Sequence, residues 1–400
     1  MKPTLFGYGL TTKAIAKKLG GGCTFFDDKA TKPYIDEDNN QIFPSHLFDA
    51  TNSQLEVTTP SFKPSHPLIK SARNLISEYD FFAKDMPFSI WISGTNGKTT
   101  TTQMLQHLLK KRGSVAGGNI GTPLANLDTK APIWILESSS FTLHHTNIAS
   151  PNIYLLLPIT PDHINWHGTA EQYEADKLKP LKTMKEGELA LIPKGLNLPQ
   201  TDAFVVEYDS IEFLENYFGI DSSKIKFKSA FLEDAILALA ITKTLFDEID
   251  YNTINDFKLD RHRQEEKKDK LNRLWVNDSK ATNLDATIQA IKGYSDRFIH
   301  LIIGGDDKGA DLTPLFKLLE NRNIHIYTIG SNSKRLINLA KKYNINYTDC
   351  QNLKNAISII SKYLTKDEVA LLSPAAASYD QFKSYKHRGE EFFKFIDKID

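Results

Sequence analysis

The chain reads as an α/β protein of three domains, each a mostly parallel sheet flanked by helices. Three observations predict this. Short apolar stretches alternate with helical ones along most of the length, the pattern of parallel sheets joined by crossover helices. Glycine turns follow the first strand-like segment of each of the first two domains, at Gly7-Tyr8-Gly9 and from Gly94 to Gly97. The 400 residues, 40% hydrophobic and 24% charged, suffice for two or three domains with cores of their own.

The first domain, residues 1–77, opens with Thr4-Leu5-Phe6 as a strand, then the glycine turn, a helix from Thr11 to Leu19 and a triple glycine at 20–22. A second strand, Cys23 to Phe26, ends in Asp27-Asp28. This is a Rossmann-like opening, in which the first turn approaches a pyrophosphate and the acid after the second strand meets a ribose. Thr12 replaces the third glycine of that fingerprint. The residues alone therefore leave three readings open: an NAD site, a nucleotide-diphosphate substrate, or a βαβ unit with no ligand. A polar stretch from Pro60 to Pro67 and a short helix near Arg73 to Tyr79 are expected to lead out of this domain.

The second domain, residues 78–259, starts with the apolar strand Phe88 to Ile92. Gly94-Thr95-Asn96-Gly97-Lys98-Thr99-Thr100 follow, and then a helix from Thr101 to Lys111 carrying Met104, Leu105, Leu108 and Leu109 at helical spacing. Two glycines let the backbone curl so that N–H groups point at phosphate oxygens, and the helix dipole adds positive potential there. Lys98 would reach the terminal phosphates and Thr99 would ligate Mg2+. Ile92 stands where the longer phosphate-loop pattern has its first glycine, so the match is to G-x-x-G-K-T. Further strands are expected at Ile133 to Leu136, Ile153 to Leu157, Leu189 to Ile192 and Phe204 to Val206. Glu137 ends the first of these, where a Mg2+ ligand or a water-positioning acid usually sits in such domains; a cap for the following helix is the bland alternative. His163, in Thr160-Pro161-Asp162-His163, follows another strand and belongs at the same edge, with ligand and structural roles evenly balanced.

A third domain, residues 260–400, is again Rossmann-like, with strands at Leu274 to Val276, Phe298 to Ile303, Ile324 to Ile329 and Val369 to Leu372. Lys+Arg and Asp+Glu both count 49, so no basic field argues for nucleic acid and no acidic excess for disorder. Cys23 and Cys350, the only cysteines, exclude a disulfide framework and a cysteine-rich zinc site, and suit a reducing compartment. The N-terminus has no long apolar segment, and nowhere do about eighteen apolar residues run together. A cytoplasmic protein is expected.

Eight segments, taken in order, resemble the Mur ligase family: Gly94 to Thr100, Gly117-Gly118-Asn119-Ile120-Gly121, Glu137-Ser138-Ser139-Ser140-Phe141, Thr160 to His163, Tyr173 to Lys177, Asn277-Asp278-Ser279-Lys280-Ala281-Thr282-Asn283, Gly304 to Lys308, and Leu372 to Ser378. The Asn277 to Asn283 and Ser378 to Tyr385 segments are similar to the D-glutamate-adding branch in particular. The resemblance spans about Ser89 to Glu391 and, more loosely, the first domain, making the middle domain a P-loop ATPase. It implies an ATP-dependent ligase that adds D-glutamate to UDP-N-acetylmuramoyl-L-alanine through an acyl phosphate, a step of peptidoglycan precursor synthesis. A ligase of the Mur or folylpolyglutamate type with another amino acid is the alternative, and a non-enzymatic nucleotide switch a third class.

By the same resemblance, Gly94, Thr95, Asn96, Gly97, Lys98, Thr99 and Thr100 hold ATP, with Arg263 and Asp278. Thr99, Glu137 and His163 serve two Mg2+ ions. Asn119 and Ser139 position the acyl substrate. Lys177 reads on sequence alone as a solvated lysine in a charged helix; the family makes it a carbamate, formed from CO2, that ligates metal. Leu10, Thr11, Asp27 and Lys29 would hold the uridine diphosphate, with Lys29 where the family has arginine and the domain abridged between Thr31 and Pro67. Lys280, Thr282, Lys308, Ser378, Tyr379 and Tyr385 would surround D-glutamate. Without the resemblance Lys280 and Lys308 are surface lysines, and Tyr379 and Tyr385 stand where the family more often places leucine and phenylalanine. A monomer without nucleic-acid or membrane partners is expected.

Overall fold

The computed structural model describes residues 2–399. Three six-stranded sheets form. The first contains β1 (Thr4–Phe6), β2 (Thr24–Asp27), β3 (Tyr34–Ile35), β4 (Gln41–Pro44), β5 (Glu56–Val57) and β6 (Leu75–Ile76), in the order β3-β4-β2-β1-β5-β6. The second contains β7 (Phe88–Ser93), β8 (Val115–Gly118), β9 (Ile133–Glu137), β10 (Ile153–Leu156), β11 (Leu189–Pro193) and β12 (Phe204–Tyr208), ordered β12-β11-β10-β7-β9-β8, with every pairing parallel. The third contains β13 (Glu265–Lys268), β14 (Leu274–Asn277), β15 (Ile299–Ile303), β16 (Ile324–Ile329), β17 (Asn346–Gln351) and β18 (Val369–Leu372), ordered β13-β14-β18-β15-β16-β17. Only β3 and β13, both at sheet edges, pair antiparallel.

The chain divides into two compact units, Met1–Phe227 with Phe231–Phe257, and Lys228–Ala230 with Lys258–Asp400. The first unit holds two of the sheets around one continuous core, which runs from Leu5, Ile15 and Phe25 through Tyr79 and Phe82 to Trp91, Trp134 and Tyr154. The second unit sandwiches its sheet between helices. Leu301, Phe316 and Leu336 are packed on one side, and Ile302, Ile357 and Phe392 on the other. Among the described residues no helix is long and apolar enough to cross a membrane.

The expected strands all form, because their runs are apolar; most are buried on both faces, while β12, at a sheet edge, exposes Phe204. The helix expected near Arg73 to Tyr79 does not. That stretch holds β6, paired with β5, between the short helices Pro67–Ser71 and Glu78–Phe81. Pro67 opens the first and Ser77 caps the second, its Oγ accepting from Asp80 N at 3.1 Å, so the helical residues are split by a two-residue strand. The short strands β3, β4, β5 and β6, together with the edge strands β8, β13 and β17, have too few apolar residues to stand out in sequence.

Residues 77–81 join the first sheet to the second. Asp80 accepts from the backbone N–H groups of Asn147, Ile148 and Ala149, each at 2.8 Å, and Glu78 Oε1 accepts from Leu124 N at 2.8 Å. Burial pushes the Glu78 carboxyl up to about 7, against the hydrogen bonds from Leu124 and Ala125. A raised carboxyl favours the folded state while it is protonated, so that stability is present below about pH 4.5 and lost as pH rises to about 7. The cost on the alkaline side is on the order of 3 kcal/mol at most. Denaturant unfolding at pH 5 and pH 8 should therefore show a smaller pH-dependent loss for Glu78→Gln than for the wild type. Equal losses would remove Glu78 as the source.

Candidate active site

The phosphate loop leaves the C-terminal end of β7, the central strand of its sheet. Its neighbours β9 and β10 deliver Glu137 and the 157–163 loop to the same edge, since Ile92 is in register with Glu137 and Ser93 with Leu156. The loop fits only glycine at two places. Gly94 has φ +141° and a Cβ there would meet Leu157 Cβ at 2.5 Å; Gly97 has φ +81° and a Cβ there would meet Asp234 Oδ1 at 2.5 Å. Gly97 caps the helix Lys98–Leu109, so the loop backbone and the positive end of the helix dipole face one place. Thr95 has a bracing position: its Oγ1 donates to Thr160 O at 2.9 Å and lies 3.0 Å from Tyr173 Oη. Thr100 is buried in the helix's inner face.

Two amines converge on the loop. Lys98 Nζ donates to Gly94 O at 2.9 Å and to Thr95 O at 2.8 Å, and Lys177 Nζ donates to the same Gly94 O at 2.7 Å. Lys177 is only 1% exposed, so its reading as a solvated helix lysine is overturned. Apolar Leu178 and Tyr173 turn this face of the helix Ala170–Leu178 inward, which the charged neighbours Glu174 and Lys179 conceal in sequence. Burial, then the charge of Lys98, hold its ammonium well below the ordinary lysine range, against Asp162 and Asp176.

Glu137 is 2% exposed. Its Oε1 accepts from Asn119 Nδ2 at 2.7 Å, and its Oε2 is buried with no hydrogen-bond partner. A buried carboxylate oxygen without a donor is costly unless a cation meets it, which fits a metal ligand better than a helix cap. The cap of the next helix is Ser139, whose Oγ accepts from Thr142 N at 3.1 Å. His163 has φ +54° and stands before the short helix Ile164–His167 with its side chain half exposed. Burial lowers its pKa; Asp162 opposes this, while Lys98 and Lys177 add to it. The structure thus gathers Lys98, Asn119, Glu137, His163 and Lys177 on one sheet edge.

The first unit also contains a cavity of about 190 Å³ whose walls include Leu10 and Thr11 from the helix after β1, Asn119 just after β8, and Phe141 and Thr142 from the helix after β9. Asp27 sits beyond the end of this turn. Its Oδ2 accepts from Tyr8 N at 2.6 Å and its Oδ1 from Lys29 N at 2.7 Å, and the Lys29 side chain is exposed. Thr12, in place of the fingerprint glycine, is fully buried and donates to Gly7 O at 2.5 Å, bracing the turn from inside.

In the second unit the expected residues other than Arg263 lie on segments leaving the C-terminal ends of β14, β18 and β15, which are neighbours; Arg263 precedes β13, whose Glu265 pairs with Asn277 at the end of β14. Asp278 is buried. Ser373 Oγ donates to its Oδ2 at 2.8 Å and Gln264 N to its Oδ1 at 3.3 Å, and burial pushes it up to about 7 despite these bonds and Arg263 nearby. Lys280 Nζ donates to Tyr385 Oη at 3.1 Å. Thr282 and Lys308 are exposed, Tyr379 is 73% exposed, and Ser378 is buried, its carbonyl accepting from Phe382 N at 2.7 Å.

Sequence reading missed two organising residues. Arg388, buried in the helix Tyr385–Ile396, donates from Nε to Ser279 Oγ at 2.9 Å and from Nη2 to Ser279 O at 2.9 Å and Ala376 O at 3.1 Å, tying two of the three segments together. Asp234, in the helix Ser229–Phe246, accepts from Thr101 Oγ1 at 2.9 Å behind the phosphate loop. An acid inside the apolar run around it was the available signal. A third group, His144, His167 and Asp176, was signalled by the density of histidine between 144 and 167. His144 Nδ1 and His167 Nδ1 lie 2.8 and 2.7 Å from Asp176 Oδ2. Burial alone would raise this carboxyl, but the hydrogen bonds from the two histidines bring it down to about 2.

Comparison with known proteins now bears on these sites. Residues 92–203 match the Mur ligase middle domain. The whole chain is 51% identical to the UDP-N-acetylmuramoylalanine--D-glutamate ligase of Campylobacter jejuni, covering 100% of both, and 44% identical to that of Helicobacter pylori, covering 99% of each. Among solved structures, the MurF ligase of Thermotoga maritima in complex with ADP shares the fold at a TM-score of 0.56 and 15% identity, with 94% of each chain covered. With 51% and 44% of its residues identical to these relatives over nearly their full length, the chain belongs to the Mur ligase family, among the UDP-N-acetylmuramoylalanine--D-glutamate ligases.

Proposed function

We propose that the chain uses ATP to activate the carboxylate of UDP-N-acetylmuramoyl-L-alanine and joins it to D-glutamate, a step of peptidoglycan precursor synthesis. Full-length identity to ligases of this name supports the substrates. The observation that carries the chemistry is the pairing of a phosphate-loop lysine with a second, buried amine and a partnerless carboxylate oxygen on one sheet edge. A nucleotide switch needs Lys98; it has no use for Glu137 and Lys177 beside it.

A carboxylate is a poor electrophile. One of its oxygens attacks the terminal phosphorus of ATP, ADP leaves, and the acyl phosphate presents a carbonyl carbon with a good leaving group. The amine of D-glutamate then attacks that carbon, the C–O bond to phosphate breaks, and the amine's surplus proton is lost. Anionic reactants must approach one another, so positive charge at fixed positions lowers the barrier most. Lys98 and the loop N–H groups supply it at the phosphates, and Asn119 orients the acyl end beside the cavity.

Glu137, Thr99 and His163 would hold Mg2+, and the unpartnered Glu137 Oε2 fits that role. Mg2+ when bound neutralises phosphate charge. Lys177 fits a carbamate. Burial holds its ammonium down, and the free amine is nucleophilic toward CO2; the nitrogen lone pair forms an N–C bond, a proton leaves, and an amine becomes a carbamate anion able to serve a second ion. In the second unit, Lys280, Thr282, Lys308, Ser378, Tyr379 and Tyr385 would receive D-glutamate, and Arg263 and Asp278 the nucleotide. Free, buried Cys23 and Cys350 suit a reducing compartment, and this reading places the reaction in the cytoplasm.

Phosphate release in the presence of UDP-N-acetylmuramoyl-L-alanine should require D-glutamate and not respond to L-glutamate, L-lysine or meso-diaminopimelate. Robust turnover with a diamino acid would overturn the amino-acid assignment. Lys98→Ala should cost about 3 kcal/mol of transition-state stabilisation, the effect of removing one donor to a developing anion. Excess Mg2+ should rescue Glu137→Ala partially and Lys98→Ala hardly at all, and equal rescue would contradict the separate roles.

Lys177→Ala should remove nearly all activity. Acetate or formate, entering the vacated space, should restore part of it, whereas methylamine should not. Activity of the wild type should also fall when CO2 and bicarbonate are rigorously removed. Rescue by the amine alone would show that Lys177 acts as a plain lysine.

A further inference from the structure

One cluster of metal-ligating side chains lies outside the ligation machinery. His144 ends the helix Ser140–His144, His167 ends Ile164–His167, and Asp176 sits in Ala170–Leu178. One ligating atom from each lies within 4.8 Å of the others. The side chain of His167 is fully shielded, that of Asp176 is 4% exposed and that of His144 24%. Outer contacts fix the two buried members: Ser140 Oγ lies 3.0 Å from His167 Nε2, and Gln172 Nε2 donates to Asp176 Oδ1 at 2.9 Å.

We infer that His144, His167 and Asp176 bind one divalent ion of the zinc class. Two imidazoles and a carboxylate are a donor set that borderline ions take, whereas Mg2+ prefers oxygen alone. Ligand atoms on a tetrahedral ion stand about 3.3 Å apart, given bonds of about 2.0 Å. The observed Nδ1-to-Oδ2 separations of 2.8 and 2.7 Å reach that spacing with shifts of about half an ångström. Each imidazole then binds as the neutral tautomer with Nδ1 bare and its proton on Nε2. In His167 that Nε2–H donates to Ser140 Oγ, the outer contact that a metal-bound histidine makes. The exposed side, at His144, leaves the fourth position to water.

The ion would clamp three segments that carry the ligation residues. Ser140 follows Glu137 by three residues, His167 follows His163 by one turn, and Asp176 precedes Lys177. Its ligands are nonetheless distinct from Glu137, His163 and Lys177, so the site stands independently of the Mg2+ assignment.

The test is calorimetric titration of the full chain, stripped by chelator and held in excess Mg2+, with Zn2+, alongside visible absorption with Co2+. One equivalent should bind, with the intense visible bands of four-coordinate Co2+. His144→Gln, at a partly exposed position that folding tolerates, and Asp176→Asn should each weaken binding at least about tenfold, the effect that even outer contacts have. Glu137→Gln should leave it unchanged. No binding in excess Mg2+, binding that survives His144→Gln, or binding lost in Glu137→Gln would each overturn the site. If Asp176→Asn fails to fold, His144→Gln decides alone.

Discussion

A single backbone carbonyl, that of Gly94, organises the phosphate-loop edge. It accepts from both Lys98 and Lys177, so two amines meet at one oxygen. That meeting requires the loop to run tightly against the next strand's exit, where Leu157 leaves no space for a side chain at 94. Any residue but glycine would push the carbonyl outward and separate the amines. The parallel order β10-β7-β9 is the condition behind this, because it brings three C-terminal strand ends side by side.

Two ammonium groups on one carbonyl would repel strongly in a buried setting, where Coulomb energies are several-fold larger than in water. The conflict is resolved unequally. Lys98 stands at the helix N-terminus and is only partly buried; Lys177, enclosed by Tyr173 and Tyr154, is the one whose charge burial suppresses. The same enclosure that removes the charge leaves a nucleophilic amine. Beside it, Glu137 shows the opposite imbalance, a buried anionic oxygen with no donor. This edge therefore sets a charge-suppressed amine beside a carboxylate oxygen that the protein alone leaves without a donor.

Most of this was legible in the sequence where apolar runs coincide with strand cores. The strands β7, β9, β10, β14, β15, β16 and β18 announce themselves, and the glycine loop and Glu137 follow from position at their ends. Edge strands such as β3 and β6 were invisible because two residues carry no periodicity. Burial of Lys177 was illegible on its own for a different reason: its neighbours Glu174 and Lys179 are polar, and only the packing of Tyr173 and Leu178 reveals which face turns inward. Arg388 was missed because tertiary hydrogen bonding, which links residues more than a hundred positions apart, leaves no local pattern; Asp234, bonded over a similar distance, left only a lone acid in an apolar run.

Thr12 shows how a departure from a motif can preserve its geometry. The third glycine of a dinucleotide turn allows close helix–strand packing. Here a threonine is fully buried at that position, and its hydroxyl donates to Gly7 O while accepting from Gly9 N at 3.2 Å. One side chain thus satisfies both ends of the turn that glycine would have left to the backbone or to a ligand. The carbonyl of Gly7 is consumed, and Tyr8 N is held by Asp27, so much of this turn's polar backbone is already spoken for inside the protein. What remains for a ligand is the side carrying Leu10 and Thr11, which is the side that opens into the cavity shared with Asn119. The substitution therefore braces the turn from within and leaves its Leu10 and Thr11 side facing the cavity.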